Sequence, residues 1–140
     1  MRGINNGGRR KVKVIVAGSR YRVNEQGQRK EYKDYETVKK ILDNSPFEIT
    51  EVVSGCAIGV DTMGERWAKE NGIPVKPFRP TKQDWIKYPK TAALMRNTEM
   101  AKYGEALIAV RVDWSRGTSD MIKKMEDRGK PVHIENICGE

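Results

Sequence analysis

The sequence predicts a single α/β domain, a parallel sheet of about five strands with helices on both faces. Three observations carry this. Short β-branched runs alternate with segments of helical periodicity, the first run is apolar almost throughout, and Gly and Ser cluster just after the runs. A strand buried on both faces reads as a continuous apolar run rather than an alternating one. Strands alternating with helices imply right-handed βαβ units and a parallel sheet. The 140 residues suit one domain.

The first strand is Val12–Ala17, uniformly apolar except for Lys13. Tyr35, Val38, Ile41 and Leu42 then recur at helical spacing up to Asn44–Pro46. Ile49–Val53 is the second strand. Val60, Met63, Trp67 and Ala68 mark a second helix, closed by the capping pair Asn71-Gly72. Pro74–Phe78 is a short third strand, followed by a loop over 79–90 in which Trp85 and Tyr88 are expected to rim a pocket. A third helix runs from about Thr91 to Tyr103, a fourth strand over Ala106–Val110, a fourth helix over Thr118–Arg128 and a fifth strand over Val132–Ile134. The pattern is Rossmann-like. One connection is too long for it: residues 18–34 are a polar stretch where α/β units usually spend about 2–6 residues, which predicts a lid, a binding loop or a mobile surface loop.

Charge narrows the partners. The chain has 27 Lys+Arg against 19 Asp+Glu, a net charge of +8, which favours nucleotides, nucleic acid or acidic surfaces. Residues 1–11, with Arg2, Arg9, Arg10 and Lys11, read as a basic flexible tail ahead of a domain spanning 12–140. No apolar run reaches the length of a membrane helix, and no apolar core of a signal peptide follows the N-terminus. Cys56 and Cys138 make neither a disulfide framework nor a zinc site. The expectation is a cytoplasmic protein with no metal and no cofactor.

Three strand-to-helix junctions are the candidate chemistry. They are Gly18-Ser19-Arg20, Ser54-Gly55 through Gly59-Val60-Asp61, and Ser115-Arg116-Gly117-Thr118. In a parallel sheet all three leave the same edge, where glycine lets a backbone come close and helix N-termini offer unpaired N–H groups. They make a phosphate cradle without a lysine-bearing P-loop. Tight turns also need Gly and Ser for their own sake. Arg20 and Arg96 are candidate phosphate ligands, by the bidentate fork of the guanidinium. Asp61 is either part of a helix cap, with Thr62 and Glu65, or a ribose-hydroxyl acceptor. Trp114 is a candidate for stacking on a base, Cys56 reads as inert, and His133 and Trp67 read as packing residues.

VIVAGSR (14–20), SGCAIGVDTMGERWA (54–68), MRNTEM (95–100) and SRGTSDMI (115–122) occur in the order and spacing of the SLOG superfamily. The chain most resembles its small stand-alone YspA branch, related to YpsA, and more distantly the LOG phosphoribohydrolases and the DNA-processing protein DprA. The resemblance implies a Rossmann-like sheet that binds nucleotides or nucleotide-derived ligands at its carboxyl edge. LOG enzymes carry Arg-Lys, a Met three residues on, and a Gly-Gly-x-Gly-Thr-x-x-Glu loop. Here Arg96 and Met100 match, Asn97 replaces the Lys, Gly117-Thr118 match, and Met121 stands in place of the Glu. The resemblance therefore implies phosphate binding through Arg96 and the Gly117-Thr118 loop. A base-releasing hydrolase needs a carboxylate, which methionine is not.

Three functional expectations follow. The first is a nucleotide-binding module, for an ADP-ribose-like ligand or a nucleoside phosphate, acting as sensor, carrier or sequestering protein. The second is a nucleotide N-glycosidic hydrolase with Asp120 or Asp61 doing the work of the missing Glu. The third is single-stranded DNA binding in the manner of DprA, using the same loops and the basic tail. A small nucleotide-like ligand is the expected partner, nucleic acid the weaker alternative, a membrane is not expected, and a homodimer is left open.

Overall fold

The computed structural model describes residues 9–113 and 115–137. In chain order the first half comprises β1 (Arg10–Gly18), β2 (Tyr21–Val23), β3 (Arg29–Glu31), α1 (Tyr35–Asp43), β4 (Phe47–Ser54) and α2 (Val60–Glu70). The second half comprises β5 (Val75–Pro77), α3 (Lys82–Lys87), α4 (Ala92–Tyr103), β6 (Ala106–Arg111), α5 (Arg116–Asp127) and β7 (Val132–Asn136). Five strands form one sheet in the order β5-β4-β1-β6-β7, and every pairing in it is parallel. This is the predicted α/β Rossmann-like architecture.

Strand β1 is central because its side chains are apolar in both directions. Val12, Val14 and Val16 point into a core with Val38 and Leu42 of α1 and Trp67 of α2. Ile15 and Ala17 point the other way, against Met100 of α4 and Met121 and Met125 of α5. The methionines of the last two helices therefore pack within the domain, where their unbranched thioethers fill the space between helices and sheet. Trp67 also donates its indole N–H to Asp43 Oδ1 at 2.9 Å, which satisfies the polar atom that comes with so large a buried ring.

Three sequence expectations are corrected. Strand β1 begins at Arg10, not after residue 11, because Arg10 and Lys11 already pair with Phe47 and Glu48; the rest of the proposed tail, residues 1–8, lies outside the described residues. The 18–34 connection is not one long loop. It folds into the antiparallel hairpin β2–β3, turned by Asn24, whose Oδ1 accepts the N–H groups of Gln26 and Gln28, and by Gly27 at φ 77°. The 79–90 loop contains α3, started by a capping box in which Thr81 and Asp84 bond each other's backbone N–H.

The sheet is tight at its carboxyl edge. A Cβ on Gly18 would lie 2.1 Å from the carbonyl oxygen of Val110, on the neighbouring strand. Gly72, by contrast, has φ 67° and open space around it. Gly18→Ala is therefore expected to cost about 3 kcal/mol, as overpacking against backbone does, and Gly72→Ala about 1 kcal/mol from backbone conformation alone. Urea unfolding midpoints of the two variants check the difference; equal midpoints would contradict it.

Candidate functional site

The chain winds from β1 out to β4 and β5, then returns to the far side of β1 for β6 and β7. The connections after β1 and β6 thus diverge to opposite sides and leave a crevice, the place where open α/β sheets bind ligands. Ser19 holds its walls together. Its N–H donates to Val110 O at 3.0 Å, and its carbonyl accepts the Val60 N–H at the start of α2 at 3.2 Å. Its hydroxyl accepts the Val112 N–H at 3.0 Å and donates to Asp113 O at 3.0 Å. One buried serine thereby fixes the loops after β1, β4 and β6 to each other.

The loop after β4 is shaped by close approaches. Gly59, at φ 84°, caps α2 where a Cβ would strike Ser19 O at 2.4 Å. Ser54 is fully buried and spent locally, donating to Glu65 Oε2 at 2.6 Å and accepting the Cys56 N–H at 3.0 Å. Gly55 leaves room for two charged groups. A Cβ there would lie 2.9 Å both from the Arg96 guanidinium carbon and from Asp61 Oδ2.

Those two groups and Arg20 face a narrow cleft of about 40 Å³, walled also by Ala57, Gly117 and Thr118, with Met100 and Met121 as its floor. Arg96, from α4, donates from Nη1 to Gly55 O at 2.7 Å, while its Nε is buried with no acceptor among the described residues. Asp61 is 5% exposed, and burial pushes its carboxyl up to about 6 despite the opposing pull of Arg96, the Ala57 N–H and Arg20. Burial likewise lowers the Arg96 guanidinium from its ordinary value, against the pull of Asp61. Across the cleft, α5 starts at Arg116 with Ser115 as its cap, the hydroxyl accepting the Thr118 N–H. The first-turn N–H groups of a helix have no partner within it. A Cβ on Gly117 would meet no other residue closer than Ser115 Oγ at 4.0 Å, so unlike Gly18 and Gly59 this glycine is not explained by packing.

Two wider basins flank the cleft. The larger, about 490 Å³, lies on the β6 side, shares Arg20, Ser115 and Gly117 with the cleft, and extends to Tyr21, Arg29 and Lys90. The other, about 280 Å³, shares Arg96 and has Phe78, Pro80, Ala92 and Met95 as apolar walls, with Arg79, Asp84 and Glu99.

The structure brings Arg20, Asp61, Arg96, Asn97, Gly117 and Thr118 to one cleft, with Gly18 and Ser115 at its wall. It separates others from it. Asp120 accepts from Lys124 Nζ at 2.6 Å and from Asn97 Nδ2 at 3.1 Å, so its carboxylate is already neutralised and held within the α4–α5 contact. Asn97 gives its amide to Asp120 and to Gly117 O, which makes it the residue that aims the start of α5. The capping box expected from Asp61, Thr62 and Glu65 does not form: Gly59 is the cap, Thr62 donates to Gly59 O, and Glu65 takes the Ser54 hydroxyl. Trp85 and Tyr88 line none of these three cavities. Trp114 and Cys138 lie outside the described residues. Burial raises the Cys56 thiol, which makes it a poor nucleophile, and His133, on the edge strand β7, contacts Glu135 Oε2 at 2.7 Å. The sequence reading missed Arg29, Lys90 and Arg79, whose neighbours in sequence carry no motif.

The family model of the YspA, cpYpsA-related SLOG family, YAcAr, matches residues 12–88. The chain belongs to this family. It is 30% identical over 128 residues to the gene 61 protein of Mycobacterium phage D29, spanning 86% of this chain and 93% of that protein. The fold is similar to that of the DNA processing protein A (DprA) of Streptococcus pneumoniae, with a TM-score of 0.64 and 22% identity, covering 91% of this chain. The chain spans about half, 50%, of the length of that DprA chain. In this SLOG domain the matched region holds the loops after β1 and β4, while Arg96 and the start of α5 lie beyond it.

The raised Asp61 carboxyl has a consequence for stability. Its folded value, about 6, stands above the ordinary aspartate value of 3.8. Below pH about 3 the group is neutral in both states and costs nothing. As pH rises to about 6 the unfolded chain ionises first, and stability falls. The difference between the two states corresponds to about 3 kcal/mol. Asp61→Asn is therefore expected to stabilise the SLOG domain at pH 7.5 by up to about 3 kcal/mol and to leave it nearly unchanged at pH 4. Urea unfolding at the two pH values reads this directly, and an equal gain at both would refute it.

Proposed function

We propose that the carboxyl-edge cleft binds a small nucleotide or nucleotide-derived ligand, an ADP-ribose-like molecule or a nucleoside phosphate, and that the SLOG domain acts as its sensor, carrier or sequestering protein. The observation that carries this is Arg96, a charged side chain in the wall of the cleft whose buried Nε has no acceptor among the described residues. A buried donor left unpaired costs about 1–3 kcal/mol, which an anionic oxygen would recover. Arg20 makes no ion pair or hydrogen bond through its side chain to the described residues and adds a second guanidinium. Gly117 lies in the first turn of α5, where a phosphate oxygen meets the positive dipole end, and Thr118, its N–H held by Ser115, walls the cleft beside it. The cleft itself holds little more than one such group, so the bulk of the ligand lies in the basins. The apolar walls of Phe78, Pro80 and Met95 suit a flat ring.

A second reading, hydrolysis of the N-glycosidic bond, has one observation in its favour. Asp61, held near 6, is a carboxyl able to take and give protons at neutral pH. On that reading turnover is lost in Asp61→Asn and survives Asp120→Asn. Single-stranded DNA binding would use the same loops together with residues 1–8, which lie outside the described residues.

Calorimetric titration with AMP and ADP-ribose tests the proposal. Binding is expected in the wild type, weakened about tenfold to a hundredfold in Arg96→Ala and in Arg20→Ala, as loss of a hydrogen bond to a charged group predicts. Arg20 is exposed, so its variant separates lost binding from lost folding. Unchanged affinity in both variants, at unchanged thermal midpoints, would remove the cleft from the site. Free base appearing in the titrated samples would favour hydrolysis.

A further inference from the structure

The geometry points to a ligand with more than one phosphate, its outer phosphates gripped in the larger basin by Arg29 of the hairpin and Lys90 from the segment before α4. This rests on the nucleotide reading of the cleft and specifies which nucleotides the site prefers.

The basin of about 490 Å³ brings four cationic side chains to one concavity: Arg20, Arg29, Lys90 and Arg116. None of the four has an ion pair within 4 Å among the described residues. The acidic side chain in the same wall, Asp113, is turned to the Val23 N–H, which it accepts at 2.8 Å. Four like charges gathered around a single carboxylate repel one another, and a multiply charged anion relieves that repulsion more than a singly charged one. Two of the four also sit in the hairpin or at its root, which the domain holds in place. Val23 is tied to Asp113, and the Tyr32 N–H donates to Arg20 O at 2.9 Å. Arg29 is pre-oriented as well. Its guanidinium lies over the Tyr21 ring at 4.3 Å from the centroid, which leaves its N–H edge free for phosphate oxygens.

The cleft explains why one phosphate is not enough to use this basin. With a volume of about 40 Å³ it accommodates a single small group beside Arg96 and the start of α5. Because the basin joins the cleft at Arg20 and Gly117, a phosphate chain entering from the cleft runs directly among the remaining cations. A monophosphate occupies the cleft and leaves Arg29 and Lys90 without a partner.

Titration with AMP, ADP and ATP in magnesium-free buffer tests this on the full chain. The wild type is expected to gain at least about tenfold in affinity from AMP to ATP. The double variant Arg29→Ala/Lys90→Ala, at an unchanged thermal midpoint, is expected to flatten that ladder while binding AMP as before, and Arg29→Lys to restore part of it. Equal affinity for AMP and ATP in the wild type, or a ladder that persists in the double variant, overturns the inference but leaves the nucleotide reading standing if Arg96→Ala still weakens AMP binding. Failure of all three nucleotides to bind removes the reading and the inference with it. A short oligothymidylate that outcompetes ATP, with affinity falling steeply in salt, overturns the inference in favour of a polymer phosphate backbone.

Discussion

The site stands on Ser19. Its N–H, carbonyl and hydroxyl bond Val110, Val60, Val112 and Asp113, so a single residue joins the end of β1 to α2 on one side and to the β6–α5 connection on the other. Each of these bonds is modest on its own, about 1 kcal/mol net. Together they convert three loops that are separate in sequence into one rigid rim. The price of that closeness is paid in side chains: Gly18 and Gly59 can be nothing larger, because Val110 and Ser19 backbone oxygens occupy the space a Cβ would need. What reads in the sequence as a ligand loop is first of all a joint.

The joint makes a charged, poorly hydrated cleft possible. Asp61 and Arg96 approach each other across Gly55, yet desolvation outweighs their attraction and leaves the Asp61 carboxyl raised to about 6. A pair that does not fully compensate its own burial is weak evidence for a structural role. Perturbed groups held in a cleft are more often kept for what they bind or react with. Met121 sharpens the contrast. Standing where LOG enzymes have a glutamate, it is 1% exposed and packs in the core beneath the cleft, so the polar groups of the cleft come from Arg20, Asp61, Arg96, Asn97 and the start of α5 instead.

The fold was legible in the sequence because burial on both faces forces a run of apolar residues over Val14–Ala17 of β1 and Ala106–Val110 of β6, a signal that needs no partner to read. The elements that escaped notice are those without a hydrophobic period. Strands β2 and β3 have three residues each and are largely exposed, so their trace was the Asn24 to Gly27 turn. Helix α3 buries no residue, and its trace was the Thr81–Asp84 spacing. For the candidate site, the sequence marks loops that the fold brings to one edge but not the atoms they present. Ser54 bonds Glu65, eleven positions away, and Ser19 bonds Val112, 93 positions away; only the fold decides that these hydroxyls are occupied while the Arg96 Nε is not. The same holds for Asp120, whose carboxylate meets Lys124 one turn on and Asn97 from another helix.

The hairpin shows how a polar insertion acquires purpose without a core of its own. A two-stranded ribbon this short is marginal in water, and β2–β3 is held instead by the domain, through Asp113 to Val23 and Arg20 to Tyr32, whose ring is buried against the α1 side of the sheet. Arg29 pairs with the anchored Val23 and lies over Tyr21 at the margin of the large basin, so the contact that ties down the hairpin also places this cation. Asp113 therefore does two things at once: its backbone oxygen takes the Ser19 hydroxyl that builds the rim, and its carboxylate takes the Val23 N–H that places the hairpin. Because those contacts share one residue, the rim of the cleft and the cationic wall beyond it are positioned by the same joint, and a ligand that spans both meets a surface already arranged for it rather than one it must assemble.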